Sequence, residues 1–78
     1  MNNANTLPTV ETMRTEARAM RERGAERFWS SVDLCLDDAA KATNDRALLA
    51  SLHRAASHMW GMFDGRTAAL KSALEVMA

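Results

Sequence analysis

Apolar residues recur at helical spacing over almost the whole of this chain, and that periodicity limits its fold more than any other feature. One row runs Val10, Met13, Ala17, Met20, Gly24, Phe28, Val32, Cys35, Ala39, Ala42; its nine steps span 32 residues, a mean of 3.56. A second runs Leu49, Leu52, Ala56, Met59, Phe63, Thr67, Leu70, Leu74, Met77; its eight steps span 28 residues, a mean of 3.5. Both match the period of an α-helix rather than the alternation of a strand. Composition agrees: fifteen Ala and eight Arg favour helix, while Ile and Tyr are absent. The expected fold class is all-α.

Thr43-Asn44-Asp45 separates the two rows and is the best turn signal, because short polar side chains there can cap a following helix. The chain therefore reads as two arms, about 9–42 and 45–77, doubling back as a long antiparallel hairpin. Residues 1–8 read as a flexible tail, with Thr6 or Thr9 as the first N-cap and Pro8 near the helix start. Residues 9–78 make one helical domain. An unbroken arm would be roughly 50 Å long. No capping residue stands close enough before Gly24 to start a fresh helix, so arm one is expected to be continuous. Arm two also carries Gly61 and Gly65, and Asp64 can cap a helix beginning at Gly65. Arm two is thus one helix or two.

In a hairpin about Asn44, residue i faces roughly residue 88 − i. Gly24 then lies level with Asp64 and Gly65, and Phe28 and Trp29 with Trp60 and Met59. All four aromatic residues would share one layer beside the glycines. A second apolar row lies alongside the first in each arm: Ala25, Trp29, Val32, Leu36, Ala40 and Leu48, Leu52, Ala55, Met59, Met62. A two-row face needs a further helix to cover it. The expectation is a homodimer of hairpins forming a four-helix bundle, through Gly24, Phe28, Val32, Leu36, Leu48, Leu52, Met59 and Phe63. The competing reading folds residues 66–77 back as the third helix of a monomeric bundle. Met13, Met20, Met59 and Met77 read as core filler.

Charge and motifs bound the function. Ten basic residues balance ten acidic ones, which lacks the net basic footprint of a nucleic-acid module. No apolar stretch approaches the roughly 20 residues of a membrane span. A lone Cys35 and the lack of a signal-peptide pattern point to a reducing cytoplasm. Cys35 and His53 meet the hairpin register, with Asp33, Asp37, Asp38 and His58 near in sequence. Their spacing is unlike a zinc motif, and no third group is placed to orient a Cys–His pair. No catalytic, cofactor or metal site is expected.

Three groups stand out as partner-binding residues. Trp29, Trp60 and Met62 are bulky apolar anchors; Asp33, Asp37 and Asp38 form an acidic cluster; Arg14, Arg18 and Arg21 recur on one helix side. The leading reading is a cytoplasmic, non-enzymatic interaction protein: an adaptor, chaperone-like binder or inhibitor of a macromolecular partner. Its Ala- and Arg-rich composition suits a bacterial, plasmid or phage genome. The alternative is a small DNA-binding regulator acting through Arg14, Arg18, Arg21 and Arg66.

Overall fold

A computed structural model describes residues 7–77 and places four helices in them: α1 (Val10–Glu22), α2 (Trp29–Lys41), α3 (Asp45–Trp60) and α4 (Gly65–Val76). No strand occurs among the described residues. The all-helical expectation holds. Of the expected tail at 1–8, residues 1–6 lie outside the described residues, as do the cap at Thr6 and residue 78; Leu7 and Pro8 are half-buried, with Leu7 packed against the core.

Local chemistry explains each boundary. Thr9 caps α1 reciprocally: its hydroxyl accepts from the Thr12 backbone N–H at 3.1 Å, and the Thr12 hydroxyl accepts from the Thr9 N–H at 2.9 Å. The helix stops at Gly24, whose φ of +85° is left-handed. There the Gly24 N–H donates to the Arg21 carbonyl at 3.0 Å and the Ala25 N–H to the Met20 carbonyl at 2.9 Å. These two bonds form a Schellman motif, which satisfies carbonyls that would otherwise be orphaned at the helix end.

Arm one is therefore not continuous, contrary to the sequence expectation. Gly24 acts as a helix terminator rather than as a defect inside a rod. The chain re-enters helix at Trp29 with Phe28 as N-cap and no side-chain capping bond. Residues 23–28 are held from their flanks instead. Arg27 Nε donates to the Met59 carbonyl at 2.9 Å, and the Trp29 indole N–H donates to the Ala25 carbonyl at 3.0 Å.

The expected turn sits between α2 and α3, where Asn44 Oδ1 accepts from the Ala47 N–H at 2.8 Å. The Arg27–Met59 bond ties the start of α2 to the end of α3, and Asp38 near the end of α2 approaches Arg54 at 4.0 Å, so the two helices run antiparallel. After α3 the chain turns at Gly61, φ +89° and ψ 160°, a backbone region reserved for glycine. Asp64 then caps α4, its carboxylate accepting from the Arg66 N–H at 2.8 Å. Arm two is two helices.

With two breaks, the molecule's longest dimension is 36 Å, shorter than the roughly 50 Å of an unbroken arm. The α2–α3 pair is the most extensive interface, α4 packs on α3, and α1 lies across α2 and α3. Met13, Ala17 and Met20 from α1 meet Val32, Leu36 and Ala39 from α2 and Leu52, Ala55, Ala56 and Met59 from α3. From α4, Leu70 joins this core, with Thr67 buried one turn before it. Most of these positions lie on the anticipated rows. α1 of the same chain lies on the apolar face of the α2–α3 pair, and α4 packs on α3 alone. Among the described residues no helix is long and apolar enough to cross a membrane.

Candidate interaction surface

The basic stripe and the acidic cluster, separate in sequence, are brought together because α1 folds back on α2. Arg14 Nη2 lies 2.7 Å from Asp37 Oδ1, and Arg21 Nη2 lies 2.8 Å from Asp33 Oδ2. Asp38 faces Arg54 instead, at 4.0 Å. The α1–α2 pairs border an open groove of about 610 Å³ floored by Ala17 and Leu36. Arg18 lines the same groove and makes no ion pair among the described residues. Each pair is roughly half exposed, so each contributes about 0–1 kcal/mol. Their larger effect is on the field: neither stripe presents an uncompensated row of charge.

Both tryptophans are half-buried and roofed by arginine. The Arg21 guanidinium stands 4.9 Å from the Trp29 ring centroid, and that of Arg66 stands 3.7 Å from the Trp60 centroid. Arg66 is further held by a fork of bonds to Asp64, Nε to Oδ1 at 2.9 Å and Nη2 to Oδ2 at 3.0 Å. This side-chain bonding, together with the Arg66 backbone N–H, holds the Asp64 carboxyl below its ordinary value, outweighing a small opposing effect of burial. The bond to Asp64 correspondingly raises Arg66. Two buried polar atoms have no partner among the described residues, the Trp60 indole N–H and the Thr67 hydroxyl.

Phe28 and Phe63 do not sit in an inter-helix aromatic layer. They stand 74% and 95% exposed, with Met62 at 66%. Helical periodicity fails at these positions because neither lies inside a helix: Phe28 is a cap and Phe63 belongs to the 61–64 turn. The Arg27–Met59 bond ties the connection that carries Phe28 to the end of α3, from which the turn with Met62 and Phe63 follows, so all three belong to the same end of the bundle. Gly24 also sits at this end. An added Cβ would meet nothing within 4 Å, so the glycine answers to its positive φ rather than to close backbone approach.

Of the other residues assigned to self-association, Val32, Leu36, Leu52 and Met59 are buried within a single chain, and Leu48 is half-buried against the core. Cys35 and His53 are half-buried and His58 exposed. No cluster of three or more His, Cys, Asp or Glu is placed to hold a metal ion among the described residues. Comparison with protein-family models, curated proteins and solved structures finds no match.

Proposed function

We propose that this chain is a cytoplasmic, non-enzymatic protein-interaction module whose contact surface is the end of the bundle bearing Phe28, Met62 and Phe63. The observation that carries this reading is the exposure of three large apolar side chains from two connections held side by side. Soluble monomers scatter such residues singly; a group of them marks a contact site. Aromatic side chains at such a site supply much of the binding energy in known interfaces. Adaptor, chaperone-like and inhibitor roles all use such a surface.

The DNA-regulator alternative draws less support. Arg14, Arg21 and Arg66, three of the four arginines it needs, are engaged by Asp37, Asp33 and Asp64. Phosphate contact would require breaking those pairs, and formal net charge is zero.

The test is affinity capture from the source cells with the immobilised full chain, wild type against the Phe28→Ser/Phe63→Ser double variant. Both substituted side chains are exposed, so the fold is retained, as circular dichroism will check. The wild type should retain partners that the variant loses. Identical captured sets would refute the assignment of the surface.

A further inference from the structure

We infer that the occupant of this end is a second copy of the chain, giving an end-to-end dimer about a two-fold axis. The inference rests on the interaction reading of the same surface and names its partner.

Area is the first argument. At 74%, 66% and 95% exposure, Phe28, Met62 and Phe63 offer roughly 450 Å² of side-chain surface per copy. That lies in the middle of the range of about 300–600 Å² for the largest apolar patch on a monomer, a size that is often functional. A two-fold contact uses the same patch twice, so roughly 900 Å² is removed by these residues alone. The flanking Gly24, Glu26 and Arg27 are exposed and add to it, which sets the contact at the small end of specific interfaces, the class that begins at ~1,200 Å². An interface of that size gives a concentration-dependent dimer rather than a permanent one.

Charge is the second argument. Glu26 makes no ion pair among the described residues, and Arg27 bonds only to the carbonyl oxygens of Met59 and Glu26. One unpaired carboxylate and one guanidinium without a carboxylate thus stand next to each other in the connection that carries Phe28. About a two-fold axis, Glu26 of each copy can meet Arg27 of the other, and both charges are matched at once. A purely acidic or purely basic partner matches only one of them. Zero formal net charge removes the long-range repulsion that would keep two copies apart.

Sedimentation equilibrium of the full chain, from low micromolar to millimolar concentration, tests this. The weight-average mass should climb from 8.6 kDa toward twice that value. Phe28→Ser/Phe63→Ser should raise the dissociation constant at least about tenfold. Glu26→Arg should also weaken association, by setting like charges across the axis. Leu34→Ser/Val76→Ser, at exposed apolar positions elsewhere, should leave it unchanged. A monomer at millimolar concentration overturns the inference, and so does a dimer that the Leu34/Val76 variant weakens as much as the Phe28/Phe63 variant. A chain that stays monomeric but still captures another protein through Phe28 and Phe63 overturns only the second copy. The interaction reading would then stand.

Discussion

Thr67 offers a direct test of the packing. Its side chain is 1% exposed on the face of α4 that meets α3, and its hydroxyl has no hydrogen-bond partner among the described residues. A buried polar group left unpaired costs about 1–3 kcal/mol. Thr67→Val keeps the branched shape and the near-equal helix propensity while replacing the hydroxyl with a methyl group. Removing the polar penalty should raise stability by about 1–2 kcal/mol. For a domain of this size, each kcal/mol moves Tm by roughly 4–8 °C. Urea unfolding followed at 222 nm should show a higher midpoint with an unchanged slope. Thr67→Ala should gain less than Thr67→Val, because it sheds the same hydroxyl but also removes a methyl group and opens a void. A Thr67→Val midpoint below wild type would refute the reasoning, since it would mean that the hydroxyl is satisfied in solution.

The remaining predictions concern glycines, a cap and the core. Gly24→Ala should destabilise by about 1–2 kcal/mol, because alanine resists the +85° φ of the Schellman motif; Gly65→Ala should stabilise by about 0.5–1 kcal/mol, because that glycine is helical, lacks positive φ and has open space at its Cβ. Thermal denaturation of the two variants should move in opposite directions, and a common direction would contradict the backbone argument. Asp64 has a lowered folded-state pKa, so its ionised cap stabilises fully above the unfolded value near 3.8 and is lost as pH falls through the folded value. Melts from neutral to acid pH should therefore show a shallower acid decline for Asp64→Asn, which still caps but cannot ionise; an unaltered decline would dismiss the Asp64–Arg66 pair as its source. Leu36→Ala, at 1% exposure in the centre of the core, should cost about 2–5 kcal/mol by chemical denaturation. A loss below about 1 kcal/mol there would place Leu36 outside the packed interior.

Much of the fold is written locally in the sequence, and the part that is not has a physical reason. Asn44 and Asp64 announce the α2–α3 turn and the start of α4 because their own side chains do the capping. The Met13, Ala17, Val32, Leu52, Ala56, Met59 and Leu70 positions follow from helical period alone. The α1–α2 break is harder to read. It is made by backbone bonds at Gly24, and α2 begins with no side-chain cap. The available signal was a C-terminal one: arginines in a last turn followed by glycine, with no need of a new cap nearby.

That single break also hid the surface chemistry. Along a continuous helix, Arg14 and Asp37 would lie roughly 35 Å apart, given 23 residues at 1.5 Å each. Folded back, they touch. The residue types of both stripes were legible, but their mutual neutralisation was not, because it exists only once α1 reverses. The exposure of Phe28 follows from the same break and that of Phe63 from the separate turn after α3, since a helical row assigns each to the interior until its helix stops.

Gly24 and Gly61, the two left-handed glycines, set both irregular connections at one pole of the molecule, while the short Asn44 turn closes the other. Apart from Gly24, Ala25, Arg27 and Gly61, which hold the connections in place, the side chains there, Phe28, Met62 and Phe63 among them, face outward and take no part in the buried core. Substitutions at the exposed positions of that pole should therefore leave the buried scaffold beneath it unchanged in shape, so its surface chemistry and the folding of the chain are separable.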